Sequence, residues 1–341
     1  MGRLSRAAAQ ERNRAKVLAA ARDEFAERGF RDAKVDVIAE RAELTRGAVY
    51  SNFPGKRALY FAVLADIAEH APQPDHPRRG ETTREALGAF ALAWLARQPD
   101  GMGLHQEVLA GLQRPFTQLL KLDALLLALA LERLAPPEVT PGAPPRRLVR
   151  LAETVLTTLH GARQLTTSAP GFVEPFDVVS ACEQLAGLAL NDWWSPPAAT
   201  PPQPTDEPWS APAAVDAVSG EPARLDGVIV VLGLHKLAAI EEAVRATTTD
   251  VTLVLVTGDA DGLGPLARLT VAEWCGCLRQ AFPRSAWPRL RVVHDESGAL
   301  ATAAGVTAVG DDTEAAVRIE GGRIVARGSA AALPAYSSPG R

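Results

Sequence analysis

The stretch 35–56 constrains the fold of this chain more than any other part of the sequence. Its apolar residues follow the helical period on both sides of a break at 42–44, which predicts two short helices joined by a tight turn. Thr45 is placed to cap the second helix, because its hydroxyl can accept a hydrogen bond from a free backbone N–H. Pro54 and Gly55 then end that helix. This pattern is a helix-turn-helix, a motif whose second helix enters the major groove of DNA.

Residues 12–70 resemble the DNA-binding domain of the TetR family of transcriptional regulators. The resemblance includes a Tyr-x-x-Phe-x-x-Lys ending, which is much rarer than a generic helix-turn-helix. The matching positions are Ala21, Phe25, Gly29, Phe30, Val35, Ile38, Ala39, Gly47, Tyr50, Phe53, Lys56 and Leu59. One departure is Lys34, where the family often has a capping Thr, and it adds a positive charge where a phosphate can lie. The resemblance implies a protein that binds a double-stranded DNA operator.

Eight residues in and around the motif at 35–54 are expected to contact DNA. Arg46 can donate two hydrogen bonds to guanine or to a phosphate. Gly47 costs about 1 kcal/mol in helix propensity relative to Ala but lets the backbone approach DNA closely. Each residue alone could equally be a solvated side chain, whereas the set favours DNA contact. The predicted DNA-binding residues are Lys34, Thr45, Arg46, Gly47, Tyr50, Ser51, Asn52 and Lys56.

The distribution of charge predicts a basic head on an acidic body. The 341 residues have a formal net charge of −4, and their length predicts two or three domains. Residues 1–71 carry 13 Lys+Arg and 10 Asp+Glu, whereas residues 72–341 carry 23 and 30. This asymmetry is typical of a protein that contacts DNA at one end.

The cysteines and the hydropathy favour a cytoplasmic protein. Cys182, Cys275 and Cys277 are too few for a disulfide framework, which fits a reducing compartment. The N-terminus has no apolar core of signal-peptide length. The most apolar run, 124–131, is far shorter than the ~20 residues that span a bilayer. We therefore expect no role in a membrane.

A helical body is predicted over 80–194, after a flexible arm at 1–11 and the head at 12–71. The expected helices are 83–97, 105–112, 116–134, 147–167 and 176–194. The helix at 116–134 is apolar on nearly all sides, so it must be buried among others. By resemblance, this body would hold a small-molecule effector that changes the spacing of two heads and releases DNA. Such release requires the ligand to bind the released state more tightly.

The last two helices of the body predict a twofold homodimer. Their apolar faces carry small and branched residues at helical spacing, which allows close helix contact. In the TetR family, the corresponding helices form a four-helix bundle with those of the second copy. The alternative is that these faces are covered within one chain. A dimer is favoured because a reader with one short helix gains greatly from a second half-site.

A proline-rich segment at 195–223 separates the body from the last part of the chain. Eight prolines in this segment argue against a buried core and predict an extended linker. The pattern after the linker alternates short β-branched runs with helices and ends in a hairpin at Gly321-Gly322. Residues 225–335 are therefore predicted to form a separate α/β domain that has few contacts with the body.

This order of elements resembles a thioredoxin-like or peroxiredoxin-like domain. The stretch 291–306 is similar to that family's strand, Asp and helix before a Gly-Val pair, and 320–327 is similar to its terminal hairpin. The family's reactive cysteine should follow the first strand, where this chain has His235. The usual proline before the strand at 315 is also absent. The resemblance thus implies the fold without its thiol chemistry.

Cys275 and Cys277 leave a rival interpretation open, a thiol oxidoreductase or a redox-responsive regulator. Both cysteines lie inside a predicted helix, where positions i and i+2 point apart and no helix N-terminus stabilises a thiolate. Structural thiols are therefore favoured, and we expect no metal, no cofactor and no enzymatic activity. His235 and His294 lie near strand ends, where α/β domains bind ligands, although each alone is typical of a surface histidine. The function expected is that of a ligand-responsive, dimeric repressor.

Overall fold

The computed structural model describes residues 6–72, 77–97, 102–134, 147–195, 201–247 and 249–333. An all-α part comes first and an α/β part follows it, as the sequence predicts, and the sheet of the second part has six strands. The helices of the first part are α1 (Arg6–Asp32), α2 (Val35–Arg41), α3 (Arg46–Tyr50), α4 (Lys56–Glu69), α5 (Thr83–Ala96), α6 (Gln113–Leu134), α7 (Val149–Ser168) and α8 (Pro175–Leu185).

The head consists of α1 to α3 packed on the start of α4. Its first helix begins at Arg6, so the part of the predicted flexible arm that the structure describes is helical instead. Gly29 interrupts α1 with a left-handed φ of 69°, a conformation that glycine adopts without strain. Behind this break, the ring of Phe25 packs edge-on against Tyr60 at a centroid distance of 4.9 Å. This aromatic contact holds α4 against α1.

Two elements of the body differ from the sequence prediction. The segment predicted as a helix at 105–112 is a series of turns, and α6 begins directly after it at Gln113. Pro115 lies in the first turn of α6, where a missing N–H costs no helical hydrogen bond. Helix α8 ends at Leu185, although the sequence predicted a helix to 194. Asp192 instead folds back onto the start of α7, where its carboxylate accepts a hydrogen bond from a backbone N–H at 2.8 Å.

The second part is one twisted sheet with strand order β1-β6-β5-β2-β3-β4. Strands β2, β3 and β4 run parallel, and the other neighbours are antiparallel. The central strands are nearly continuous apolar runs because both of their faces are covered. The elements are β1 (Gln203–Pro208), β2 (Gly227–Gly233), α9 (Ile240–Arg245), β3 (Val251–Val256), α10 (Gly264–Ala281), β4 (Leu290–His294), α11 (Ala299–Ala303), β5 (Glu314–Glu320) and β6 (Arg323–Gly328).

The proline-rich segment is not an extended linker over the residues that the structure describes there. Its strand β1 pairs with β6 at the edge of the sheet, where prolines are tolerated because one side of the strand needs no N–H. Further along, the carboxylate of Asp216 is buried and accepts hydrogen bonds from the backbone N–H groups of Val218 and Val292. The described part of this segment therefore supplies one edge strand and otherwise packs against the sheet.

The expectation of few contacts between the body and the sheet is wrong. Helix α10 packs on one side against the sheet and on the other against α4, α5 and α6, so one buried cluster runs through both parts. The ring centroid of Trp274 on α10 lies 4.5 Å from the ring centroid of Phe90 and 5.4 Å from that of Trp94. The reason is that α10 is apolar on nearly all sides, and a helix of this kind must be covered on each of them.

Candidate DNA-binding surface and effector cavity

Helix α3 is short, well capped and held to the head by one face only. The hydroxyl of Thr45 accepts a hydrogen bond from the backbone N–H of Ala48 at 3.2 Å, which confirms the predicted cap. Val49 and Phe53 are buried and anchor α3 on the head. The opposite face of the helix therefore points to solvent, as a recognition helix requires.

Six of the eight predicted DNA-binding residues are exposed, and two are partly buried. Among the exposed ones, Arg46 pairs with Asp36 at 3.2 Å and its guanidinium lies 5.5 Å from the centroid of the Tyr50 ring. These contacts lie at the surface, where such pairs exchange easily for other partners. The exposed residues are Lys34, Thr45, Arg46, Gly47, Tyr50 and Ser51, and the partly buried ones are Asn52 and Lys56.

Lys56 and Asn52 support the head from within. The ammonium group of Lys56 donates to the carbonyl oxygen of Arg31 at 2.9 Å, near the end of α1. The side-chain amide of Asn52 donates to the carbonyl oxygen of Ala48 at 2.8 Å. Sequence reasoning missed Arg14, which donates to the backbone oxygen of Asn52 at 3.2 Å and stacks on Phe53. In the sequence, Arg14 stood out only as a basic residue in the first predicted helix.

A cavity of about 720 Å³ lies between the head, the body and the sheet domain. Its walls come from α4, the turns at 102–112, α6, α7 and α10. This volume is in the range of pockets that hold small molecules. The hydroxyl of Tyr60 donates to the carbonyl oxygen of Gly103 at 3.1 Å and accepts from its N–H at 2.8 Å. The wall of the cavity is thus tied directly to α4.

The cavity wall mixes apolar and polar side chains, and we call the part around Arg163, Glu273 and His160 its polar end. Arg163 on α7 donates to the carboxylate of Glu273 on α10 at 3.3 Å, and its guanidinium lies 3.8 Å from the centroid of the Trp94 ring. Burial, and to a smaller extent Arg163, lower the pKa of His160 to about 4, so this histidine is neutral at pH 7. The sequence could not predict this site, because its two halves belong to different parts of the chain.

The buried carboxyl of Asp123 lies close to this polar end. Burial raises its pKa well above the ordinary value, and the negative charge of Glu273 raises it further. Both effects favour the neutral, protonated acid. Asp123 therefore adds no charge to the polar end of the cavity at neutral pH.

The three cysteines are free and buried. Burial raises the pKa of Cys275, and it raises the pKa values of Cys277 and Cys182 to about 12. A thiol of this kind stays protonated at neutral pH, and the thiolate is the reactive species. The described residues contain no group of three or more His, Cys, Asp and Glu that could hold a metal ion. They also contain no helix with the length and apolar character needed to cross a membrane.

The capped, exposed α3 on its three-helix support defines a helix-turn-helix DNA-binding domain. Residues 17–63 match the family described as bacterial regulatory proteins, tetR family. Residues 17–63 therefore carry the DNA-binding domain that this family model describes. The sequence resemblance stated for 12–70 is thereby confirmed over most of its length.

Related proteins share this head with the chain. The HTH-type transcriptional regulator SrpR of Pseudomonas putida is 46% identical over 59 residues, which are 17% of this chain and 28% of that protein. The uncharacterized HTH-type transcriptional regulator TtgW, also of Pseudomonas putida, is 45% identical over 65 residues, 19% of this chain and 48% of that protein. The chain thus covers less than half the length of either relative.

Among solved structures, a TetR transcriptional regulator from Rhodococcus sp. RHA1 is similar at 19% identity, with a TM-score of 0.32. The similarity covers 52% of this chain and 94% of that one. The α/β part of the chain is not matched by the family that covers the head.

Proposed function

We propose that the chain is a sequence-specific DNA-binding transcriptional repressor that acts in the cytoplasm as a homodimer and responds to a small-molecule effector. The observation that carries this proposal is the exposed face of α3 within the segment that matches the TetR family. Arg46, Gly47 and Tyr50 would face the major groove, and Lys34, Thr45, Ser51, Asn52 and Lys56 would complete the contact. A helix of five residues reads few base pairs, so a second head is needed for specificity.

An apolar surface on α7, α8 and the segments next to them supports the homodimer. We call it the dimer patch, and its members are Leu165, Phe172, Phe176, Leu188, Leu190 and Trp193. Phe172 and Phe176 are 73% and 74% exposed, so the described residues leave them largely uncovered. Exposed apolar surface of this kind marks interaction sites, and these six residues all lie within 165–193 of the chain. A second copy related by a twofold axis would cover the patch and supply the second head.

The cavity beside α4 supports the response to an effector. It is large enough for a small molecule, and Tyr60 joins its wall to the helix that leaves the head. A ligand that binds more tightly when α4 is displaced would shift the population toward a state with different head spacing. This is the physical requirement for release of the operator.

The α/β part would be a thioredoxin-like domain without thiol chemistry. Its order β6-β5-β2-β3-β4 and its terminal hairpin support the resemblance. The position of the reactive cysteine is taken by His235 and the short 3-10 helix Leu237–Ala239, which packs against α6. Gln118 on α6 accepts a hydrogen bond from the backbone N–H of Ala238 at 2.9 Å. The region after the first strand, which would carry the chemistry, instead contacts the body. The role that we propose for this domain is to complete the cavity.

Selection of bound sequences from a random DNA pool tests the proposed function. The full chain should enrich an inverted repeat whose half-sites lie about one helical turn apart, roughly 34–36 Å. The same selection with Arg46→Ala should enrich sequences that no longer agree at one position of each half-site. Recovery of unrelated sequences by the unmodified chain would refute sequence-specific binding.

A further inference from the structure

The polar end of the cavity holds more hydrogen-bond donors than it can satisfy. Nε and Nη2 of Arg163 have no hydrogen-bond partner within the described ranges. Nε2 of His160 has none either, and it donates or accepts according to the tautomer. Glu273 occupies a single nitrogen of the Arg163 guanidinium. Buried donors without partners cost free energy, which a ligand that supplies acceptors would recover.

A second arginine, Arg97, lies near Arg163 and Glu273. Arg97 lies next to Leu64 and Glu273 around a small adjoining cavity, and these two residues also line the large one. Its Nε and Nη2 are likewise buried and unpartnered among the residues that the structure describes. Gly276 on α10 makes room for it, since an added Cβ there would lie 2.5 Å from Nη1 of Arg97. Helix α10 thus accommodates a second, partly buried guanidinium close to Glu273.

The balance of charge at this end favours an anion. Arg163 and Arg97 are positive, Glu273 is negative, and Asp123 and His160 are neutral at pH 7. A positive charge therefore remains uncompensated where burial makes it costly. A cationic ligand placed on Glu273 would also lie beside Arg163 and would be repelled by it.

We propose that the effector is an organic acid whose carboxylate binds Arg163 and whose apolar body fills the rest of the cavity. The apolar walls for that body are Leu64, Leu104, Leu109, Phe116 and Leu269. The assignment of this ligand class rests on the proposed function in taking the cavity as the effector site. Arginine suits the role because its planar fork matches the two oxygens of a carboxylate.

Binding of the acid to Arg163 can be coupled to the position of the head. A carboxylate on Arg163 competes with Glu273, whose ion pair with Arg163 links α10 to α7. Helix α10 also packs along α4, where Arg268 pairs with Glu69 at 3.0 Å. Loss of the Arg163–Glu273 pair would therefore remove one constraint between α7 and α10, and a shift of α10 would be passed to α4. The sheet domain takes part in the response through this helix.

Calorimetric titration of the full chain without DNA tests the ligand class. The probes are three acids, 1-naphthoate, 4-phenylbutyrate and octanoate, each compared with its neutral amide. At least one acid should bind about tenfold or more tightly than its amide, since a charge-assisted hydrogen bond contributes about 1.5–3 kcal/mol. Arg163→Gln should remove this preference, and Glu273→Gln should strengthen acid binding because it frees the guanidinium. Arg150→Gln, an exposed position on the same helix, is the control and should leave both affinities unchanged.

Several results would overturn the proposal. They are equal binding of every acid and its amide, no binding by any of the three acids, or unchanged acid binding in Glu273→Gln. If Arg163→Gln does not fold, the direction of the change in Glu273→Gln decides alone. Operator binding by the same preparations is measured separately. Failure of the ligand class is thus distinguished from failure of the proposed function, which would appear as loss of specific DNA binding in the unmodified chain.

Discussion

Two basic side chains of the head, Arg46 and Lys56, differ in what holds them. Among the residues that the structure describes, Arg46 contacts the exposed Asp36 and the ring of Tyr50, whereas the ammonium group of Lys56 donates to a backbone oxygen of α1. Both were predicted to contact DNA. Their substitutions should nevertheless have different consequences, because only one of them supports the fold.

We expect Arg46→Ala to weaken operator binding by roughly tenfold to a hundredfold while leaving the thermal midpoint unchanged. Lys56→Ala should weaken binding to all sequences, flatten the salt dependence and also lower the thermal midpoint, since the oxygen of Arg31 loses its donor. Fluorescence anisotropy at several salt concentrations and thermal unfolding measure both effects. Arg150→Ala is the matched control. Operator affinity in Arg46→Ala equal to that of the unmodified chain would show that α3 is not the recognition helix.

His160 should make the protein less stable in mild acid. Its pKa is lowered to about 4 in the folded state, so the unfolded chain takes up a proton below about 6.5 and the folded chain does not. Stability from this group is therefore present above pH 6.5 and lost as the pH falls toward 4. The thermal midpoint of His160→Gln should fall less between pH 7 and pH 5 than that of the unmodified chain. His294 has a similarly lowered pKa, and it is present in both proteins, so its contribution cancels. An equal fall of the thermal midpoint in the two proteins between pH 7 and pH 5 would contradict the burial of His160 as a neutral group.

At the scale of elements, α10 decides how the two parts of the chain are joined. It belongs to the sheet by connectivity, yet it packs against three helices of the first part. The side chain of Trp274 is fully buried at this contact, between Phe90 and Trp94. A residue in this position should stabilise both parts together.

We expect Trp274→Ala to lower the free energy of unfolding by about 3–5 kcal/mol, the usual cost of deleting a large buried aromatic side chain. The helical and sheet signals in circular dichroism should disappear in one shared unfolding transition. The substitution should shift this transition to a lower denaturant concentration. Leu92→Ala, an exposed position on α5, is the control and should change stability little. A transition in which only the sheet signal moves would instead indicate that α10 does not couple the two parts.

At the scale of the whole molecule, the proposed homodimer would set the number of heads that reach DNA, through the dimer patch. Exposure of Phe172 and Phe176 to water is unfavourable in a monomer, and an apolar contact between two copies removes it. Two heads in one complex also raise the effective concentration of the second half-site.

Sedimentation should therefore show a dimer of the full chain, and Phe176→Asp should shift it toward monomer because a buried, unpaired carboxylate is costly. The same substitution should weaken operator binding more than it weakens the binding of a single half-site. Val215→Asp, which changes an exposed apolar residue outside the patch, should remain a dimer. A concentration-independent monomer of the unmodified chain would rule out the patch as an interface.

What the sequence determined by itself is local structure. The cap on α3 depends on Thr45 and a backbone N–H three residues away, and the break in α1 depends on Gly29. The hairpin β5–β6 depends on Gly321 and Gly322, which adopt φ values of 56° and 73° that other residues rarely adopt. In each case one short stretch contains all the interacting atoms. The head and the succession of strands and helices along 225–335 could therefore be predicted before any contact across the fold was known.

The tertiary structure alone decided how distant segments meet. An apolar helix such as α10 shows in its sequence that it must be buried, but not against which neighbour, so its packing on the body could not be predicted. The proline-rich segment became an edge strand because β6 offered free hydrogen-bonding groups, which its own composition does not reveal. The polar end of the cavity likewise depends on Arg163 and Glu273, which lie 110 positions apart. Burial is encoded residue by residue, whereas the choice of partner is made only when the whole chain packs.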